Sequence, residues 1–177
     1  MMLRTLIFFL IILNTTSAFP QGYDVYGIGV YDVKFDGSSS NYATDLRYER
    51  RFDNTIIDIG PEQDNFFYLK PFAGIELTSD SAFYLISGIY LEDNIGDLLT
   101  GKDNNWNLTP SFGVGYYDDG DGKKLGNKIE FRTTLELSYQ LLNKDRIGFS
   151  FGHISNANIG KKNPGVEIIS ISYQKPF

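Results

Sequence analysis

Residues 128–140 read KIEFRTTLELSYQ. Ile129, Phe131, Thr133, Leu135, Leu137 and Tyr139 fall on one side of this stretch, and Lys128, Glu130, Arg132, Thr134, Glu136, Ser138 and Gln140 on the other. Successive side chains of a strand point to opposite faces, so the pattern predicts a long strand with one greasy and one charged face. Residues 42–53 repeat it, with Tyr42, Leu46, Tyr48 and Phe52 opposed to Asp45, Arg47, Glu49, Arg51 and Asp53. Working outward, strands are expected at 23–35, 42–53, 66–78, 82–91, 107–117, 128–140, 146–157 and 166–177. Between them lie turn-forming stretches such as GSSSN at 37–41, SDS at 79–81 and DDGDGKKLGN at 118–127, where Gly, Asn, Asp and Ser permit reversal.

Several of these segments reach ten residues, the length of a strand that crosses a bilayer at a tilt. An even number of long antiparallel strands can close into a barrel, which leaves no unpaired edge in lipid. Alternation alone does not say which face is inside, and a lipocalin-like soluble barrel would turn its apolar face inward. Two features favour the membrane. Aromatic residues make up 15% of the chain, as interfacial girdles require. The chain also ends on Ile169, Ile171, Tyr173 and Phe177, an alternation closing on an aromatic that is similar to the C-terminal recognition signal of bacterial outer-membrane proteins. The expected fold is therefore all-β, an eight-stranded antiparallel transmembrane β-barrel in a Gram-negative-type outer membrane. Two expected connections, 54–65 and 92–106, are long for periplasmic turns and have room for a short helix or a bulge. The first strand alternates poorly around Gly27 and Gly29.

Arg4, the apolar run LIFFLIIL at 6–13 and the small residues of NTTSA at 14–18 have the order of a secretory signal peptide, too short to span as a helix. The expected organisation is a signal peptide at 1–18 and a barrel domain at 19–177. The chain has no cysteine and so no disulfide staple, and a net charge of −6, dispersed along its length, argues against a nucleic-acid partner.

The segment GHISNANIGKKNPGVE, 152–167, contains the single histidine of the chain, His153, with Ser155 two residues on and Glu167 further along. A serine hydroxyl becomes a useful nucleophile when an imidazole takes its proton and a carboxylate orients that imidazole. His153 and Ser155 share parity with Ile147, Phe149 and Phe151, and Glu167 with Ile169, Ile171 and Tyr173, so all three are expected on the apolar, lipid-facing side. With both termini periplasmic, the seventh strand ends at the cell exterior. A register pairing His153 with Glu167 centres the turn on Gly160 and sets Ser155 opposite Gly165; opposed side chains then lie within reach of an imidazole–carboxylate hydrogen bond. Charge on the lipid face is least costly near the interface, which places the trio at the outer headgroup boundary.

Other groups read as structure. Asn163-Pro164-Gly165 has the composition of a turn. Asp118–Asp121 lacks the remaining ligands of a calcium loop. Arg47, Glu49, Arg51, Glu130, Arg132 and Glu136 fit a polar ladder that fills the barrel interior, which argues against a pore.

The motif His153-Ile154-Ser155-Asn156-Ala157, followed by Asn163-Pro164-Gly165 and Glu167, resembles the signature of the lipid A 3-O-deacylase (PagL-like) family of outer-membrane acyl hydrolases. Supporting matches are Thr109-Pro110-Ser111-Phe112-Gly113-Val114-Gly115-Tyr116, Leu125-Gly126, Glu130-Phe131-Arg132 and Arg146-Ile147-Gly148; they cover the second half strongly and the first weakly. The resemblance implies an eight-stranded barrel whose site opens sideways onto the outer leaflet. It implies Ser155 as nucleophile, His153 as general acid and base, Glu167 as the orienting acid and Asn156 in the oxyanion hole. Asn158 stands where many relatives have glycine. The implied reaction is hydrolysis of the 3-O ester-linked acyl chain of lipid A, the lipid anchor of lipopolysaccharide, with neither metal nor organic cofactor; a homodimer is compatible with it. Two rival readings are a non-catalytic structural or adhesion barrel, which would leave lipids unmodified, and an esterase acting on phospholipid.

Overall fold

The computed structural model describes residues 22–35, 42–60, 68–102 and 104–177; the expected signal peptide lies outside the described residues. Eight long strands carry the fold: β1 (Gly22–Tyr31), β2 (Ala43–Phe52), β3 (Tyr68–Thr78), β4 (Phe83–Tyr90), β5 (Trp106–Asp118), β6 (Ile129–Gln140), β7 (Arg146–Ser155) and β8 (Val166–Pro176). Each pairs antiparallel with its neighbour in sequence, and β1 pairs with β8 to close the ring. Every long pairing holds one register from end to end, so no bulge flips a face.

Closure brings Gly22 beside the chain end, where the Phe177 N–H donates to the Gly22 carbonyl at 3.1 Å. The two long connections lie at this terminal end. One carries a two-residue strand, Ile57–Asp58, paired with Leu69 and Tyr68. The other carries Asp93–Asn94, paired with Leu108 and Asn107, and the short helix α1 (Ile95–Thr100). The expected first strand is shortened from residue 35 to Tyr31 because Asp32 takes a left-handed φ of 63° and turns the chain. The irregularity at Gly27 has a packing reason: it faces the lumen, and a Cβ there would stand 3.1 Å from Arg47 Nε.

The charged face of each strand is inside. Glu136, fully buried on β6, accepts from Arg47 at 3.1 Å, Arg51 at 2.6 Å, Ser172 at 3.1 Å and Gln174 at 2.7 Å. Glu49 accepts from Arg51 and Arg132, and Arg132 reaches on to Glu76. These buried groups sit at 0–6% exposure, so the lumen is a packed ionic core. Toward the end opposite the termini the lumen turns apolar: Leu125, Ile154, Val166, Ala82, Tyr84 and Tyr117 form a plug, each 2% exposed or less.

The exterior is the reverse. Ile28, Leu46, Leu77, Phe112, Leu135, Phe149 and Ile171 are between 46% and 59% exposed, a density of outward apolar side chains that only lipid can cover. Aromatics mark the rims. Trp106 packs edge-on against Tyr139 at 5.1 Å at the terminal end, and Tyr42, Tyr116 and Phe35 are exposed toward the other. A polar core, an apolar wall and aromatic rims define a membrane-spanning barrel of the outer-membrane type.

Candidate active site

Alternation sets the geometry of the wall at the end of β7. Ile154 points inward and is fully buried, as is its cross-strand partner Val166. His153 and Ser155, on either side of Ile154, must therefore point outward, and both are partly exposed. On β8, Glu167 sits directly opposite His153. Its Oε1 lies 3.3 Å from His153 Nδ1, with side-chain exposures of 44% for the histidine and 29% for the glutamate. One imidazole nitrogen thus faces a carboxylate while the ring stays open to the surroundings. Among the described residues, Ser155 Oγ has no hydrogen-bond partner. On its other side β7 pairs with β6, placing Thr133 opposite His153 and Phe131 opposite Ser155.

Regular pairing stops at Ile154–Val166, and the chain then enters a tightly bonded loop. Ala157 and Asn158 both take left-handed φ values, 51° and 64°, which end the strand at Ser155 rather than at the expected residue 157. Asparagine tolerates this region better than most side chains and glycine best of all, so the residue at 158 and the glycine expected in relatives satisfy one backbone demand. Among the described residues, nothing accepts from the backbone N–H groups of Ala157 or Asn158. The Ile159 N–H donates to the Asn156 carbonyl at 3.0 Å and closes a turn over these two residues, and free successive N–H groups of a turn can accept an anion.

Asn156 is the residue that the family resemblance places in the oxyanion hole. It is fully buried, its Nδ2 donates to the carbonyls of Leu125 at 2.8 Å and Lys162 at 2.7 Å, and its backbone N–H donates to Asn163 Oδ1 at 2.9 Å. Both amide hydrogens of the side chain are engaged, so in this geometry it clamps the β7–β8 loop to the β5–β6 loop and offers no donor to the surface. Asn163 and Gly165, legible in the sequence as a turn and as part of the family signature, lie against Asn156 and His153. Gly165 has φ +60°, and a Cβ on it would stand 2.8 Å from His153 Cε1. Its bare backbone is what lets the imidazole lie where it does.

Fold and site together define an inside-out barrel with a serine, a histidine and a glutamate gathered on its lipid-facing wall. Residues 90–176 match the family model described as Lipid A 3-O-deacylase (PagL), so the resemblance read from the motif holds over the second half of the chain. Over 55 residues the chain is 34% identical to Lipid A deacylase PagL of Bordetella bronchiseptica, a match spanning 31% of this chain and 31% of that protein. Among solved structures, the outer membrane enzyme PagL superimposes with a TM-score of 0.63 at 17% identity, covering 88% of this chain and 99% of that one. Neisserial surface protein A gives 0.52 at 11% identity, covering 89% and 97%. Both likenesses are of fold. One barrel architecture serves proteins of different description, so function has to be argued from the site.

Proposed function

We propose that the protein is an outer-membrane lipid A deacylase that hydrolyses the 3-O ester-linked acyl chain through Ser155, His153 and Glu167. The observation that carries this reading is the His153–Glu167 pair beside Ser155, facing lipid at the strand end, inside the segment that matches the deacylase family. In the proposed reaction His153 takes the Ser155 proton as Oγ attacks the ester carbonyl. The tetrahedral intermediate collapses, the bond to the sugar 3-oxygen breaks, and His153 returns the proton to that oxygen. Water, deprotonated by the same imidazole, then releases the fatty acid from Ser155. Glu167 holds the imidazole tautomer and stabilises its cation.

The developing oxyanion is assigned to the backbone N–H groups of Ala157 and Asn158, in place of the Asn156 side chain. Each such donor contributes about 2.7–4 kcal/mol to the transition state where the site is preorganised. The Asn156 clamp supplies that preorganisation by fixing the loop from beneath.

The test is mass spectrometry of lipid A from outer membranes with and without the intact protein. Loss of one acyl group, mapped to the 3 position, is expected. Unchanged lipid A masses would exclude the reading, and free fatty acid released from phospholipid instead would favour the phospholipid esterase. Gly165→Ala gives a second check. Its Cβ would stand 2.8 Å from His153 Cε1 and force the imidazole to shift; a misplacement of about 1 Å costs up to roughly 100-fold in turnover. The backbone also takes a penalty of about 1–2 kcal/mol for a left-handed alanine. Deacylation should fall while the barrel still folds, as judged by its heat-modifiable mobility on gels.

A further inference from the structure

The β6–β7 pairing sets Arg132 opposite Ile154 and ends on Phe131 opposite Ser155, a pair that lies on the outer face of the wall. One step further, the same register sets Glu130 opposite Asn156. Both residues face inward and both are fully buried. A buried carboxyl therefore stands beside the side chain that clamps the loop carrying Ala157 and Asn158, and the proposed reaction makes no use of it.

The hydrogen-bond inventory decides what this pair does. The two carbonyls within reach of Asn156 Nδ2, those of Leu125 at 2.8 Å and Lys162 at 2.7 Å, only accept, so the amide nitrogen must point at them and the amide oxygen away. Both amide hydrogens are then spent. Asn156 Oδ1 is buried and accepts from no described residue, and neither oxygen of Glu130 completes a hydrogen bond among the described residues, although the Asn156 side chain and the Asn127 backbone lie against the carboxyl. No cation answers it either. Arg132, two residues along β6, is held by Glu49 and Glu76, and the described ion pairs of the lumen leave Glu130 out. Beyond the described residues, positions 36–41, 61–67 and 103 contain neither lysine nor arginine. An ionised carboxylate here would be a buried charge without a counter-ion, and a group so placed takes the neutral form. The acid has one O–H to give, and Asn156 Oδ1 is the facing acceptor that lacks a donor.

We propose that Glu130 is a positioning residue for the oxyanion loop: as the neutral acid it donates a hydrogen bond to Asn156 Oδ1, and so locks the amide whose two hydrogens tie the β7–β8 loop to the β5–β6 loop. This rests on the deacylase reading for the reaction it serves, and on the buried pair itself for the hydrogen bond. Tyr84 steadies the backbone at this point, its hydroxyl donating to the Glu130 carbonyl at 2.9 Å. Glu130 lies behind the wall and touches no substrate, so its removal should act on turnover and not on binding.

The experiment uses the full barrel in mixed micelles with lipid A. Glu130→Leu keeps the bulk and removes the donor, whereas Glu130→Gln keeps the shape and offers an amide N–H to the same oxygen. Glu130→Leu is expected to lower kcat roughly 10- to 100-fold with KM unchanged, and Glu130→Gln to restore most of the loss. Parent turnover in Glu130→Leu, a Glu130→Gln as slow as Glu130→Leu, or a rise in KM at constant kcat would overturn the assignment. The infrared difference between parent and Glu130→Gln should contain the carbonyl stretch of a protonated carboxylic acid; carboxylate bands in its place would also overturn it, and this reading stands on the near-isosteric variant even if Glu130→Leu fails to fold. Amide hydrogen exchange over residues 156–163, measured on Ser155→Ala protein, should quicken with Glu130→Leu and not with Glu130→Gln. That exchange pattern without any hydrolysis by the parent would support the lock and remove the deacylase reading instead.

Discussion

Ser155→Ala is expected to abolish lipid A deacylation while leaving a folded, membrane-inserted barrel. The hydroxyl lies on the outer face of β7, outside the ionic core and the apolar plug, and makes no hydrogen bond to the described residues, so its removal deletes chemistry and almost nothing else. Loss of a serine nucleophile or of its histidine base lowers kcat by roughly 10⁶-fold where the residues act as a unit. His153→Asn should therefore match Ser155→Ala, and the double variant should be no worse than either. The measurement is the lipid A mass profile together with heat-modifiable gel mobility. Full deacylation by Ser155→Ala would remove the nucleophile assignment, and loss of the folded band would mean that the site residues support the fold after all.

A second large effect is expected at the opposite face of the wall. Glu136→Ala removes the acceptor for Arg47, Arg51, Ser172 and Gln174 at once. Glu49 and Glu76 are then left as the carboxylates paired with Arg47, Arg51 and Arg132, so a positive charge is stranded in the buried lumen. Breaking a buried pair from one side costs about 3–5 kcal/mol, a large fraction of the stability of an ordinary domain. The urea midpoint for loss of the folded gel band should drop well below that of the parent protein. Glu136→Gln, which keeps an oxygen acceptor and loses the charge, should fall between the two. A midpoint unchanged by Glu136→Ala would show that the network contributes little and that strand pairing and lipid carry the barrel.

Strand alternation locates both of these groups and leaves the loops undetermined. The strict period of two in residues 128–140 placed Glu130, Arg132 and Glu136 on one face and Phe131 and Leu135 on the other, and all of them lie on those faces in the barrel. The His153–Glu167 pairing was likewise legible, because a hairpin with one register leaves few choices once the turn is centred on Gly160. The position of Asn156, by contrast, depends on the carbonyls of Leu125 and Lys162, one of them 31 residues away in sequence. Nothing in the local pattern says whether an amide after a strand will turn toward lipid or toward the lumen. The left-handed pair Ala157–Asn158 was visible only as an asparagine where the family resemblance leads one to expect glycine. Sequence periodicity reports the faces of strands, whereas the site is completed by contacts between strand ends.

The outward placement of His153, Ser155 and Glu167 also sets the kinetics of the proposed hydrolase. Substrate reaches a site on the lateral wall by sliding within the leaflet, so the governing variable is the mole fraction of lipid A in the surface and not its amount per volume of suspension. Diluting the membrane with inert amphiphile at fixed total substrate should slow turnover, while diluting the suspension with buffer should leave the rate per enzyme unchanged.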